Sequence, residues 1–319
     1  MDPAAAAYIG TNAVPAALLK ALCSGTANTE LEWRRGVLPH IVMAKRLTTA
    51  AIGVVIALFV LFLHNTPVLP VAAGLISGMI LYEYLRVNKL LRYHLTTGAA
   101  MVYAIVLPLL QVGMNARYRS ILTVVAVTGV LFDYVRHKKK MSERTVFCAL
   151  TGMMLLPHAM AAAVTLNNAH EQHGVAYLVL ALAGAWIADS GAFFVGTYLG
   201  KQKLCPEISP KKTIAGFIGG IAANIVFFIL FCAVYLAVMT KKGVAMHVNW
   251  FTVIMLAMVC AVLGTLGDLA ASTMKRQLGV KDFGTIMPGH GGMLDRFDSV
   301  LLVLPFFTAF VQATNFFEL

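Results

Sequence analysis

The chain has 319 residues, of which 59% are hydrophobic and only 12% are charged, and its mean hydropathy is +0.79. An ordinary soluble domain carries roughly 25% charged residues, so this composition excludes a cytosolic enzyme, and the hydrophobicity excludes disorder beyond short segments. The 25 Lys and Arg outnumber the 14 Asp and Glu, a net charge of +11 that in a membrane protein indicates basic cytoplasmic loops. The five cysteines are scattered without a CxxC pair, which indicates neither a disulfide framework nor a zinc site.

The N-terminal segment differs from the rest of the chain. Residues 1–40 are rich in alanine and lack a basic region followed by a compact apolar run, so they do not resemble a cleaved signal peptide. We predict a tail there, partly disordered or forming a surface helix. Residues 41–319 are predicted to form a single transmembrane domain.

Apolar runs repeat from Leu47 onward, which predicts an all-α polytopic membrane protein. A transmembrane helix needs roughly 20 apolar residues, and about nine segments qualify. The predicted spans lie near residues 47–63, 66–85, 98–113, 120–135, 145–166, 175–198, 214–239, 250–267 and 299–316.

The basic residues predict the orientation of these spans. With a cytoplasmic N-terminus, 20 of the 25 Lys and Arg fall in cytoplasmic segments and four fall outside, with Lys20 left in the tail. This asymmetry follows the positive-inside rule, so we predict an external C-terminus. The bases of loop 86–97 and of Arg136–Lys140 are interpreted as orientation signals that contact anionic headgroups.

Five of the seven aspartates lie at or between the cytoplasmic ends of the last four predicted spans. Carboxylates at membrane depth are costly and usually mark a functional site. The alternative is that they form structural ion pairs with neighbouring Lys and Arg. These five residues are Asp189, Asp268, Asp282, Asp295 and Asp298.

The spacing within residues 267–298 favours a functional site. A helix continuing from the eighth span places Asp268, Ser272 and Lys275 on one face. The glycines of the turn 288–292 permit close backbone approach to a ligand, and Asp295 and Asp298 are spaced to share one face of a helix that leads into the ninth span. Carboxylates interspersed with Lys and Arg are typical of a site for Mg²⁺ and a polyphosphate.

A second cytoplasmic segment has a complementary composition. Ser209-Pro210 predicts a helix start, and free N–H groups there beside Lys211 and Lys212 would form an anion site. The alternative for the two lysines is positive-inside charge. Gly219 and Gly220 are interpreted as sites of close helix packing.

Residues 272–299, STMKRQLGVKDFGTIMPGHGGMLDRFDS, resemble the signature of the phosphatidate cytidylyltransferases, or CDP-diacylglycerol synthases. The pattern S-x-x-K-R-x4-K-D, then P-x-H-G-G, then D-R-x-D is matched at every fixed position. The upstream W-x-x-D-S and S-P-K-K-T-x-x-G segments are similar to a second block of that family. By motif the resemblance covers residues 186–298, and beyond them it rests on topology alone.

This resemblance implies transfer of a cytidylyl group from CTP to phosphatidic acid, at the cytoplasmic face of a bacterial inner membrane. It implies Mg²⁺ bound by Asp268 and Asp295, and it is compatible with a second cation such as K⁺ and with a homodimer. No nucleic acid partner is expected.

The resemblance also implies that the active site is formed by segments 186–220 and 264–299. The catalytic residues it implies are Asp268, Lys275, Asp295, Arg296 and Asp298. The substrate-binding residues are Asp189, Ser190, Ser209, Lys211, Lys212, Thr213, Ser272, Arg276, Lys281, Asp282, His290, Gly291 and Gly292.

Two other functions share parts of this pattern. Another membrane enzyme that uses CTP or a lipid phosphate, such as a polyprenol kinase, would have similar charges but would transfer the γ-phosphate. A transporter would also carry costly acids, but it should show inverted repeats and polar groups at the membrane midplane. The acids here lie at the cytoplasmic ends of late spans instead.

Overall fold

The computed structural model describes residues 48–49, 51–113, 116–169, 173–287, 291–314 and 317–318. The chain divides into two units, residues 1–55 with 288–290, and residues 56–287 with 291–319. The described residues of the first unit are helical, and the second unit contains the elements that carry the site. The predicted tail, residues 1–40, lies outside the described residues.

The described chain is mostly helical. Its helices are α1 (Ala51–Phe62), α2 (Val68–Val87), α3 (His94–Leu109), α4 (Ala116–Arg136), α5 (Glu143–Ala169), α6 (Gly174–Leu199), α7 (Ile214–Lys241), α8 (Trp250–Gln277), α9 (Leu294–Phe297) and α10 (Val300–Ala313).

Six of the described helices are long and apolar enough to cross a membrane, namely α2, most of α4, and α5 to α8. Three shorter apolar helices, α1, α3 and α10, occupy the positions of the remaining predicted spans. The predicted positions of the apolar helices are therefore confirmed. Six helices of spanning length fit a multi-pass membrane protein, whereas a count of nine spans needs the three shorter helices as well.

The prediction of an all-α fold is wrong in one respect, because the described residues include two small antiparallel sheets. Strand β1 (Lys203–Cys205) pairs with β2 (Ser209–Thr213), with Lys203 opposite Thr213. Strand β3 (His247–Val248) pairs with β4 (Phe317–Glu318). The first of these sheets is a hairpin that precedes α7, and it carries part of the candidate site.

The predicted helix start at Ser209-Pro210 is also wrong. Both residues lie in β2, and α7 begins at Ile214 after Thr213, whose hydroxyl accepts a hydrogen bond from the Gly216 N–H at 3.1 Å. A threonine at this position satisfies one of the N–H groups that a helix start leaves free. The helix is therefore capped by Thr213, four residues later than Ser209.

Helices α6 and α7 pack closely along small residues, and this contact positions the hairpin between them. A side chain at Gly219 would collide with Val195, and a Cβ at Gly220 would lie 2.7 Å from the Ala188 carbonyl oxygen. The interpretation of these two glycines as packing residues is therefore confirmed. The part of α6 that carries Asp189 is therefore held against α7.

A buried carboxylate fixes the start of α3. Asp133 of α4 is 2% exposed and accepts hydrogen bonds from the Thr96 N–H at 2.9 Å and the Thr96 hydroxyl at 2.7 Å. The His137 ring lies 2.9 Å from the other carboxylate oxygen. Asp133 therefore caps a neighbouring helix, and this aspartate has a structural role.

Candidate active site

The C-terminal part of α8 presents Asp268 and Ser272 on one face, as their spacing predicts. The Ser272 hydroxyl donates to Oδ1 of Asp268 at 3.3 Å. Lys275 lies seven residues after Asp268, on the same helical face, and its ammonium group reaches Asp295 beyond this helix. A single helix thus supplies a carboxylate, a hydroxyl and an ammonium group to one region.

The β1–β2 hairpin brings Lys212 to this helix. Its Nζ lies 2.7 Å from Oδ2 of Asp268 and donates to the Thr265 carbonyl oxygen at 3.5 Å. Lys211 is exposed. Successive side chains of a strand point in opposite directions, so the two lysines lie on opposite faces of β2. The structure therefore separates the two predicted lysines, and only Lys212 contacts the aspartate.

Asp295 is the most enclosed acid of the candidate site. Its side chain is 3% exposed, and Oδ1 lies 2.8 Å from the Lys275 ammonium group. Its Oδ2 accepts from the Phe283 N–H at 2.9 Å and from the Gly292 N–H at 3.0 Å. Buried charges need a partner and hydrogen bonds, and Asp295 has both. This residue therefore connects α8 to the backbone at Phe283 and at Gly292.

Asp298 and Asp189 meet at a shared serine. The Ser299 hydroxyl donates to Oδ2 of Asp189 at 2.7 Å and lies 3.5 Å from Oδ1 of Asp298. The Trp186 indole N–H donates to the Arg296 carbonyl oxygen at 3.4 Å, which also joins α6 to the end of α9. The two distant segments predicted to build the site, 186–220 and 264–299, thus meet at several points.

Asp295 and Asp298 make different contacts, although they are three residues apart as the sequence pattern requires. Helix α9 has only four residues, and Asp298 follows it in a turn that keeps right-handed helical backbone angles. Asp295 contacts Lys275, whereas Asp298 accepts from the Ser299 N–H at 2.8 Å. Two networks therefore exist, and Lys275 acts electrostatically on both.

The pKa of Asp298 shows that negative charge accumulates here. Burial is the largest cause and the carboxylate of Asp268 the next, and the net effect raises this pKa to about 7. The Ser299 N–H and the Lys275 ammonium group oppose the rise, and Asp189 adds to it. The site thus contains more carboxylates than ion-paired lysines, and this excess of acidic groups favours the binding of a cation.

Oxygen ligands of this kind fit Mg²⁺, which takes one or two carboxylates and completes its shell with water and phosphate oxygens. The Asp268 carboxylate is 27% exposed and thus accessible. Within the described part of the chain, no three His, Cys, Asp or Glu side chains are grouped so that they could hold a metal ion.

Several predicted site residues lie at the periphery. The Ser190 hydroxyl donates to the Trp186 carbonyl oxygen at 2.8 Å, and Arg276 Nε lies 3.5 Å from the Ile208 carbonyl oxygen. Among the described residues, the exposed side chains of Lys281, Asp282 and Arg296 make no ion pair or hydrogen bond. Ser209 is half-buried in β2, and His290 lies outside the described residues.

The two described glycines of the turn, Gly291 and Gly292, lie close to carboxylates of the protein itself. Gly291 has a φ of +86°, a backbone angle that residues with a side chain rarely adopt. A side chain at Gly292 would collide with the Glu83 carboxylate. The expected close approach to a ligand is thus, at Gly292, a close approach to Glu83.

Glu83 is a residue that the sequence prediction missed. It lies in α2, is 1% exposed, and accepts from the Met293 N–H at 3.0 Å and the Leu294 N–H at 2.8 Å. The sequence does contain an indication of its importance, because burying an acidic side chain within an apolar segment such as 66–85 costs free energy.

Comparisons with known proteins show the family to which the chain belongs. The sequence profile described as the cytidylyltransferase family matches residues 44–314. The chain is 33% identical over 270 residues to a phosphatidate cytidylyltransferase of Bacillus subtilis (strain 168), covering 83% of this chain and 96% of that protein. It is 33% identical over 267 residues to the phosphatidate cytidylyltransferase of Staphylococcus haemolyticus (strain JCSC1435), covering 82% of this chain and 96% of that protein. One from Staphylococcus epidermidis (strain ATCC 12228 / FDA PCI 1200) is 42% identical over 135 residues, 42% of this chain and 48% of that protein.

Proposed function

This chain belongs to the cytidylyltransferase family, and we propose that it transfers the cytidylyl group of CTP to phosphatidic acid. The products are CDP-diacylglycerol, a precursor for phospholipid synthesis, and pyrophosphate. The observation that carries the proposal is that α8 contributes to two ion pairs, Asp268 with Lys212 of the hairpin and Lys275 with Asp295. Two acids and two ammonium groups are thus supplied around one helix, and these are the groups that bind a metal and a triphosphate.

In the proposed reaction, a phosphate oxygen of phosphatidic acid attacks the α-phosphorus of CTP. The new P–O bond forms as the bond from the α-phosphorus to the bridging oxygen breaks, and that oxygen leaves with pyrophosphate. A phosphate monoester is already largely dianionic at neutral pH, because its second pKa is about 6. The chain therefore need not supply a general base, and positioning and charge stabilisation provide most of the rate.

Lys212 and Lys275 are proposed to exchange their carboxylate partners for phosphate oxygens when the triphosphate binds. Each ammonium group now lies within 2.8 Å of a carboxylate oxygen, so a small rearrangement suffices. Arg276, Lys281 and Arg296 are exposed around this region and are proposed to attract the anionic substrates.

Asp268 and Asp295 are proposed to hold Mg²⁺, which when bound would neutralise charge on the triphosphate and the leaving pyrophosphate. Both carboxylates are engaged by lysines in the structure, so their availability depends on the same exchange of partners. A second cation such as K⁺ would be held by Asp189 and Asp298. Among the described residues, one oxygen of each of these two carboxylates has no hydrogen-bond partner.

For the whole chain, we propose nine spans formed by α1 to α8 and α10, with a cytoplasmic N-terminus and an external C-terminus. The distribution of 20 basic residues inside and four outside supports this orientation. It places the site at the cytoplasmic face of a bacterial inner membrane, accessible to CTP from water and to the diacyl substrate from the bilayer. A single catalytic domain over residues 41–319 and a homodimer complete the proposal.

The assay of this proposal uses the full chain purified in detergent with CTP, Mg²⁺ and phosphatidic acid. We expect CDP-diacylglycerol and pyrophosphate in equal amounts, measured by lipid mass spectrometry and by enzymatic pyrophosphate detection. Phosphorylation of a polyprenol without release of pyrophosphate would identify a kinase instead. Absence of any CDP-lipid from folded protein would contradict the proposal.

Replacing Lys212 by glutamine should lower kcat/KM for CTP by about 10- to 100-fold, because a charge-assisted contact to phosphate is lost. The matched control is Lys203→Gln, which removes an exposed lysine from the partner strand of the same hairpin. We expect that control to change kcat/KM by less than about threefold. Equal effects of the two substitutions would mean that the hairpin acts only through its overall positive charge.

A further inference from the structure

Glu83 is a buried carboxylate, and burying a carboxylate costs free energy unless hydrogen bonds or a charged partner compensate for it. It lies near the cytoplasmic end of α2, within an apolar helix, and is 1% exposed. Its two oxygens accept hydrogen bonds from successive N–H groups, Met293 to Oε1 at 3.0 Å and Leu294 to Oε2 at 2.8 Å. The carboxylate thus binds the backbone of a segment more than 200 residues away in the sequence.

This segment is the one that carries the acids of the site. Leu294 directly precedes Asp295, and Asp298 follows three residues later. The other side of the same carboxylate faces Gly284, where any side chain would collide with Glu83. Glu83 is therefore held between two segments, around 284 and around 292–294, that both also bind Asp295 through the Phe283 and Gly292 N–H groups.

Two carboxylates therefore organise one backbone. Asp295 accepts the Phe283 and Gly292 N–H groups, and Glu83 accepts the next two N–H groups along the chain, those of Met293 and Leu294. Glu83 thus accepts two of the four hydrogen bonds that anchor the backbone around Asp295. A displacement of about 1 Å at a catalytic group can lower a rate by about a hundredfold.

We propose that Glu83 is a positioning residue for cytidylyl transfer, which fixes the backbone of residues 292–294 and thereby the direction of the Asp295 carboxylate. It does not touch the substrates and acts through Asp295. This inference rests on the proposed function for its effect on rate, whereas its effect on the backbone can be measured independently of any reaction.

The test compares Glu83→Gln with Asp133→Asn. Each replaces a buried acid that accepts two hydrogen bonds at the start of another helix, but Asp133 contacts Thr96 and lies outside the proposed site. Glutamine offers only one oxygen to two N–H donors, so one of the Glu83 hydrogen bonds must be lost. Hydrogen–deuterium exchange and kinetics are measured on the full chain in detergent.

For Glu83→Gln we expect about tenfold faster exchange in peptides covering residues 291–297 and a fall in kcat of at least about tenfold, with KM for CTP within about threefold. For Asp133→Asn we expect exchange near residues 94–97 to change by less than about threefold, because the remaining side-chain oxygen can still accept both hydrogen bonds from Thr96. We expect the kcat of the folded protein to be unchanged.

Three results would overturn the proposal. Unchanged exchange at 291–297 in Glu83→Gln would show that the carboxylate does not hold this backbone. Faster exchange with an unchanged kcat would show that the anchoring has no catalytic role, and equal losses of kcat in both variants would show a purely structural role.

If Glu83→Gln does not fold, the same measurements are made on Gly284→Ala, because its methyl group would collide with the Glu83 carboxylate and displace it. If the wild type shows no cytidylyl transfer, the proposed function fails, and the exchange result still decides whether Glu83 anchors the segment.

Discussion

Asp295→Asn should lower kcat by at least about a thousandfold and also destabilise the protein. The predicted metal ligand is lost, and removing a ligand that acts in the transition state costs several kcal/mol of barrier, or about 1.4 kcal/mol for each factor of ten. The Lys275 ammonium group, which is 12% exposed, is left without its carboxylate. Breaking a buried ion pair at one partner costs about 3–5 kcal/mol. Thermal unfolding in detergent and steady-state kinetics measure the two effects.

The double variant Lys275→Met with Asp295→Asn separates these two contributions. We expect it to regain much of the lost stability, because no charge remains buried without a partner, while activity stays as low as in the single variant. If Asp295→Asn keeps more than about a tenth of the wild-type kcat, the carboxylate is not part of the catalytic machinery.

Asp268→Asn should abolish activity to a similar extent with little loss of stability. Its ion pair with Lys212 joins side chains that are 27% and 22% exposed, and pairs of this partly solvated kind contribute at most about 1 kcal/mol. Asparagine also retains an oxygen for the Ser272 hydroxyl. A fall in kcat of about a thousandfold with an unfolding temperature within about 3 °C of wild type is therefore expected.

The control for Asp268→Asn is Glu207→Gln, which neutralises an exposed acid in the turn of the neighbouring hairpin. It changes the net charge by the same amount, and we expect kcat within about twofold of wild type. A comparable loss of activity in both variants would indicate that overall charge, and not the position of Asp268, controls the rate.

Local patterns predict much of this architecture. The positions of the apolar helices follow from hydrophobic runs alone, and the shared face of Asp268 and Ser272 follows from helical periodicity. These features depend on residues close together in the sequence. The distinction between Lys211 and Lys212 requires knowing that they lie on a strand, and Ser209-Pro210 in isolation is equally compatible with a helix start.

Contacts between distant segments could not be predicted from spacing. The partner of Lys275 is Asp295, 20 residues further along the chain, and Lys212 reaches Asp268 across 56 positions. The Glu83 carboxylate has no local pattern that identifies its partners. Its cost within an apolar segment marks it as important, but only the packing of α2 against α9 shows which backbone it binds.

Parallel reactions with CTP labelled with ³²P at either the α- or the γ-phosphate, with phosphatidic acid as acceptor, test most directly whether this site catalyses cytidylyl transfer. With wild-type protein, label from the α-phosphate should appear in the lipid product and label from the γ-phosphate in pyrophosphate, and both should fall to background in Asp268→Asn. Transfer of the γ-label to lipid, or undiminished transfer of the α-label by the variant, would contradict the account.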